Sequence, residues 1–471
     1  MEDKEKQDKE KQDKEKQRWK ELLIDKTFRD KSAKHDFDGR NPFEGDYGRL
    51  ISSSPIRRLQ DKTQVFPLEQ SDFIRTRLTH SLEVSYIASS IGLSIEKFLL
   101  EKQYIEDSHK GYISSLLRVG GLIHDLGNPP FGHFGEEAIR NYFKDFFKQK
   151  ENTEGLTEQE QKDFLNFDGN VQTFRILRKL HFFKDEYSFN LTYPSLACII
   201  KYPFSSIDGN KGKEAKHVAL KKFGFFSSER KDFQEISEEL NLKNQRHPVT
   251  YLLEAADDIA FSAADIEDGA KLGLIDFDII WHVFEKNLTT NKDLLDQLNA
   301  LYTKFQSFQS EKLFLTVQNF RVLTQARMIG AVIKTFQDNY DEIMAGNFPN
   351  ELILDSEASD IRKSYKELQL IIFDNKKIMK TEIAGWEALY GLLDIFIPAS
   401  RSEKFQAKGN NKESRLYKII SSSFRFIYEN YNKDEDVCAQ YKKYQLIIDY
   451  IAGMTDSYAL ELYQKLKGIK I

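Results

Sequence analysis

From Pro55 onward, apolar residues recur at steps of three and four, as in Leu78, Leu82 and Tyr86 with Ile91, and again in Val322, Ile329, Val332 and Phe336. Such spacing returns side chains to one face of an α-helix, and each face must be buried against a neighbour. Ten prolines interrupt the 471 residues, and strands do not alternate regularly with helices, which disfavours a doubly wound nucleotide fold. The expected fold class is all-α, with at most a short β-hairpin over residues 204–222. With 40% hydrophobic residues, the chain can bury a core large enough for one big helical domain or two merged ones.

The N-terminus departs from this pattern. Residues 3–17 read DKEKQ three times, with nothing apolar to pack, so residues 1–18 are expected to be disordered or at most a solvated helical extension. Amphipathic structure begins at Trp19, and residues 37–48 read as a loop. The polar stretches 149–161 and 404–413 read as flexible surface and as candidate lids. A net charge of −5 argues against a surface built wholly for nucleic acid. Cys198 and Cys438 are too few for a disulfide framework or a thiolate zinc site, and the N-terminus is charged where a secretory signal needs an apolar stretch. With no apolar run long enough for a bilayer, a soluble cytoplasmic protein is expected.

The chemistry concentrates in three segments. His80 lies near the start of an amphipathic helix in residues 75–92. In GGLIHDLGNPPFGHFGEEAI (residues 120–139), His124 and Asp125 end an apolar helix that Pro129 and Pro130 must break. Adjacent helical residues point about 100° apart, so both reach an ion only where it lies at the helix end. In YLLEAADDIAFSAADIEDG (residues 251–269), Asp257 and Asp258 sit inside an otherwise apolar helix, where uncompensated carboxylates are costly. Two imidazoles and two carboxylates without thiolate suit a hard or borderline divalent ion with open positions for water and phosphate.

This H…HD…D pattern resembles that of the HD superfamily. The motifs SSSPIRRLQDKTQVFP (52–67), RTRLTHS (75–81), HDLGNPPFGHFGE (124–136), NFDGNVQ (166–172), EAADDIAF (254–261) and DYIAGMTDSYA (449–459) are similar in content and order to bacterial dGTP triphosphohydrolases. The resemblance implies a metal held by His80, His124, Asp125 and Asp257, although on sequence alone Asp258 competes with Asp257. It implies Mg²⁺ or Mn²⁺, with Fe²⁺, Co²⁺ or Ni²⁺ as substitutes, and a His133–Glu136 pair at the α-phosphate, the histidine as proton-transfer group or nucleophile activator and the glutamate as its orienting partner. Arg77 is expected on the α-phosphate, Gln64 and Asp265 on the sugar 3′-hydroxyl, and Phe261 under the deoxyribose. Glu382 is a candidate for guanine recognition, set against a solvated helix glutamate. Arg75 reads as a surface charge. His35, His109, His181, His217, His247 and His282 read as satisfied core residues.

Two positions depart from the family. Phe261 stands where tyrosine is usual, which keeps the ring and removes the phenol, and Asp168 replaces a more frequent glutamate. The implied function is hydrolysis of dGTP, and of other dNTPs, by metal-activated water attacking the α-phosphorus, releasing deoxynucleoside and inorganic triphosphate. The alternatives are a broad, nucleotide-activated dNTP hydrolase and a regulatory nucleotide-binding protein without turnover. Residues 19–290 are expected to form the HD-domain catalytic core, and residues 291–471 a helical region that completes the substrate site. The resemblance also implies a homo-oligomer, hexamer or tetramer, and single-stranded DNA as a candidate effector.

Overall fold

The computed structural model describes residues 2–29, 39–69, 71–181, 185–288, 291–431 and 436–469, and among these every regular element is helical. The one β-type contact is an isolated bridge between Thr63 and Thr76. The repeat lies in helix α1 (Glu2–Leu22), the helical one of its two expected forms. Lysine, glutamate and glutamine are good helix formers, and the last turns are anchored. Trp19, Leu22 and Leu23 are buried, the Trp19 indole donates to the Tyr340 hydroxyl at 2.8 Å, and that hydroxyl donates to Glu15 at 2.7 Å.

Helix α2 (Pro42–Ile51) replaces the later part of the expected 37–48 loop. Asn41 accepts from the amides of Phe43 and Glu44 while Glu44 accepts from the Asn41 amide, so a capping box and Pro42 start a helix that buries Phe43 and Leu50. No hairpin forms over 204–222. Asn210 donates to the Lys222 carbonyl at 3.0 Å and Lys211 to that of Leu220 at 2.9 Å, but short 3₁₀ turns stand in place of a ladder. The segment lacks the alternation that would give a strand an apolar face.

Helices α3 (Arg77–Glu101) and α4 (Tyr112–Ile123) share the most extensive interface. A Cβ on Gly121 would lie 2.5 Å from Ser85 Cα, and one on Gly92 2.8 Å from Ser114 Cα, so the two backbones nearly touch. Helices α5 (Gly132–Phe146), α6 (Pro248–Lys271), α7 (Lys312–Asp338), α8 (Ser359–Phe373) and α9 (Lys376–Ser400) follow, then α10 (Ser422–Asn430) and α11 (Ala439–Ala452). One apolar core joins α3, α4, α6 and α7 through residues such as Val84, Leu117, Ile259 and Val332. A second joins α5, α9 and α11 through Phe143, Leu392 and Tyr444, with residues 156–180 contributing Phe164. The polar centre lies where α5 meets the first core.

The stretch 149–161 is packed: Asn152 is buried and donates to the Phe146 carbonyl at 2.7 Å, and a capping box between Thr157 and Glu160 starts the next helix. Phe405 likewise ties down the 404–413 stretch.

Candidate active site

Thr76 caps α3 and places His80 on its first turn, facing inward and buried. His124 ends α4, and its Nδ1 lies 2.8 Å from the Gly121 carbonyl; donation there leaves the Nε2 lone pair aimed at the centre. The close approach of α3 and α4 sets the His80 and His124 ring centroids 5.3 Å apart. Asp257 on α6 completes the group, its Oδ1 3.3 Å from Nε2 of both histidines. One ligand atom each from His80, His124 and Asp125 lies within 4.8 Å of the others. Asp258 points elsewhere, accepting from the Nε and Nη2 of Arg362 on α8.

These residues fit a divalent ion. Neither ring nitrogen of His80 nor Nε2 of His124 has a hydrogen-bond partner among the described residues, although both side chains are buried. Buried polar atoms are rarely left so, and a cation between two imidazoles and two carboxylates satisfies them together. Burial disfavours charge on the His124 ring, yet Asp125 and Asp257 outweigh it and raise its pKa. Burial is likewise outweighed at Asp125, where His124 and Arg77 bring the carboxyl down to about 2, and at Asp257, where His124 and Lys201 hold it well below the usual range. The pocket is built for negative oxygens facing positive charge.

A ring of cations surrounds the centre. Buried Arg77 donates to Asp125 Oδ2, and its Nε has no partner among the described residues. Asn128 donates to Asp125 Oδ1 at 2.7 Å. Lys201 Nζ lies 3.3 Å from Asp257 Oδ2, and Lys222 pairs with Asp168. Asp168 also accepts from Asn170, so the carboxylate that replaces the family's glutamate holds a lysine whose charge reaches Glu136. Lys201 and Lys222 escaped the sequence reading: the first ends the apolar run LACII, and the second falls in the supposed hairpin.

Two successive left-handed residues, Phe131 (φ 61°) and Gly132 (φ 58°), turn the chain after Pro130 and set His133 at the mouth of the site. Its Nδ1 is 3.0 Å from Glu136 Oε2, with the imidazole 80% exposed and the glutamate 2%. Glu136 also accepts from the Gly169 amide at 2.6 Å, so it does more than complement a helix dipole. Glu136 raises the His133 pKa; in return His133, overcoming the cost of burial, lowers Glu136 to about 2.

Of the remaining candidates, Phe261 lies beside the centre, its ring centroid 6.4 Å from that of His80. Gln64 has a buried amide oxygen without a partner among the described residues. Asp265 is buried and accepts from Gln369 on α8 at 2.9 Å, and burial raises its pKa. Glu382 is half-buried on α9, one turn before Gly385, whose backbone packs on the Phe131 ring. Arg75 is no surface charge: it pairs with Glu83, Glu267 and Asp268 and ties α3 to α6. His247 is a satisfied core residue that caps α6, whereas His282 is exposed and His35 lies outside the described residues.

The HD domain matches residues 77–222, which include His80, His124, Asp125, His133, Glu136 and both lysines, while Asp257 lies beyond them. The phosphohydrolase-associated domain matches residues 392–465. Over 467 residues, 96% of this chain and the whole of the relative, the sequence is 40% identical to the deoxyguanosinetriphosphate triphosphohydrolase-like protein of Listeria innocua serovar 6a. The chain belongs to this family of HD phosphohydrolases. A family member of the same description from Listeria monocytogenes is also 40% identical, and one from Synechocystis is 33% identical over 469 residues, each match covering 96% of this chain and the whole relative. The phosphohydrolase-associated domain reaches the site through Asp456, which accepts from the amides of Phe131 (3.0 Å) and Thr63 (2.9 Å) and so braces the turn before His133. No helix among the described residues is long and apolar enough to cross a membrane.

Proposed function

We propose that this phosphohydrolase cleaves dGTP, with other dNTPs as further substrates, to deoxynucleoside and inorganic triphosphate. One observation carries the reading: buried ring nitrogens of His80 and His124 without a hydrogen-bond partner among the described residues face two carboxylates inside a ring of cations, beside an exposed histidine held by a buried glutamate. His80, His124, Asp125 and Asp257 would hold Mg²⁺ or Mn²⁺. A divalent ion there supplies Lewis acidity that acidifies water and neutralises phosphate charge.

Arg77 presents its guanidinium to the α-phosphate, a planar two-point task that lysine performs poorly. Lys201 and Lys222 neutralise the departing triphosphate. Glu136 holds Nδ1 of His133, leaving Nε2 to pass a proton to the 5′-oxygen as the bond to the α-phosphorus breaks. Gln64 and Asp265 offer an amide and a carboxyl to the 3′-hydroxyl, and the Phe261 ring crowds the 2′-position sterically. Glu382 is the carboxylate proposed for the guanine N1–H and N2–H donors. A cytoplasmic homo-oligomer completes the proposal, supported by family membership. The test is triphosphate release from each dNTP and GTP, singly and in pairs, with Mg²⁺ or Mn²⁺. Release from dGTP supports the reading, equal rates on all dNTPs or activation by a second nucleotide replaces its specificity, and no release from any dNTP refutes it.

A further inference from the structure

Lys201 keeps its place at the catalytic centre without a helix to carry it. It lies beyond the end of the short helix Tyr193–Ala197, in irregular backbone, yet its ammonium sits 3.3 Å from Asp257 Oδ2 and its side chain is only 12% exposed. A flexible lysine stem on irregular backbone holds one position only where something fixes the backbone that bears it.

Arg246 supplies that hold. It lies two residues before α6, and its side chain is fully buried. Its Nε donates to the Lys201 carbonyl at 2.6 Å and its Nη1 to Glu254 Oε2 at 2.9 Å. Glu254 stands three residues before Asp257 on α6, about one helical turn away. One planar group therefore joins the backbone of Lys201 to the turn of α6 that carries the lysine's partner. The guanidinium also packs on two rings, 5.1 Å from the Tyr251 centroid and 5.7 Å from that of Tyr202, the residue after Lys201. Nη2 has no acceptor among the described residues, so these two bonds and two rings are what offset the desolvation of the charge. A Cβ on Gly224 would lie 2.0 Å from the Tyr202 carbonyl oxygen, so the backbone after Lys201 is also pressed against the segment that carries Lys222.

We infer that Arg246, too deeply buried to touch a nucleotide, is the positioning residue that sets Lys201 against Asp257 and acts on the reaction through that lysine. Lysine in its place would keep the charge but lack the planar fork that spans both acceptors. The inference rests on the phosphate-neutralising role proposed above for Lys201.

The test compares Arg246→Gln and Arg246→Lys in the full-length protein, each with Lys201 present and with Lys201→Met. The first readout needs neither nucleotide nor ion: lysines are acetylated with limiting acetic anhydride, and each site is quantified by mass spectrometry. Loss of a hydrogen bond to a charged group shifts an equilibrium about tenfold, so Lys201 should label about tenfold faster in both variants, while the other lysines change by less than about twofold. The second readout is a double-mutant cycle on kcat/KM for dGTP. Each Arg246 variant should lose about tenfold beside Lys201 and less than about twofold beside Lys201→Met. A merely structural arginine would cost the same factor in both backgrounds. That outcome, or unchanged Lys201 labelling in a folded variant, overturns the inference. If Arg246→Gln does not fold, Arg246→Lys decides on the same readouts. If dGTP is not hydrolysed at all, the substrate reading fails while the labelling still decides the role of Arg246.

Discussion

Asp163, on the helix Glu158–Leu165, is fully buried and makes no ion pair among the described residues. Its carboxylate accepts from the Ser206 hydroxyl (2.6 Å), the Ser227 amide and hydroxyl (each 2.7 Å) and the Tyr441 hydroxyl (2.7 Å). Burial outweighs these neutral donors and raises its pKa from 3.8 to about 6. The folded state therefore binds this proton more tightly than the unfolded chain. The group's stabilising share is complete below the unfolded value and is lost as pH rises through the folded one. About two pH units at 1.36 kcal/mol each make the ionised group cost about 3 kcal/mol at pH 8. Asp163→Asn removes the charge and keeps the shape. Ser206 also donates to the Gln159 carbonyl at 3.2 Å, so its hydroxyl oxygen is free to accept from the new amide. The variant should be more stable by about 1–3 kcal/mol at pH 8. With unfolding entropy near 1 kcal/mol/K for a chain of this length, that is a rise of about 1–3 °C in Tm. Thermal melts at pH 5 and pH 8 provide the check, with the gap narrowing at pH 5. A variant less stable than wild type at pH 8, or a gap unchanged with pH, refutes the reasoning.

Other perturbations probe the catalytic centre and its support. His124→Ala removes an imidazole from the proposed ion site and should abolish triphosphate release; full activity with added Mn²⁺ would contradict the ligand assignment. Glu136→Gln weakens the hold on His133 and should lower kcat by about 10²-fold, with the acidic limb of the pH–rate profile displaced, and an unchanged profile would exclude the proton-transfer role. Gly121→Ala forces a methyl group against Ser85 Cα, 2.5 Å away, and should destabilise the protein by about 1–3 kcal/mol or more in denaturant melts. Phe261→Tyr restores the family's usual phenol and should widen the ratio of dGTP to GTP turnover; an unchanged ratio would show that the ring alone sets sugar selectivity.

The order and spacing of the motifs were legible because each is local chemistry. A helix period, a Pro-Pro break after His124–Asp125, and carboxylates stranded in the apolar α6 are all readable along the chain. So were the all-α class and the ligand residue types. The choice between Asp257 and Asp258 was not, since adjacent residues differ only in the side of the helix they occupy, and the packing of α6 against α3 and α8 turned one toward the histidines and the other toward Arg362. Lys201, Lys222 and Lys62 were invisible for the same reason. A lysine's role depends on which carboxylate or carbonyl the tertiary structure brings to it, and their partners Asp257, Asp168 and Asn128 are distant in sequence. The choice between disorder and helix for the charged repeat was not legible either, because its helix is anchored by Trp19 against Tyr340, a contact across 321 positions. Sequence alone determined which chemical groups were available and which local turns they favoured; long-range burial decided which groups face one another and which charges go unanswered.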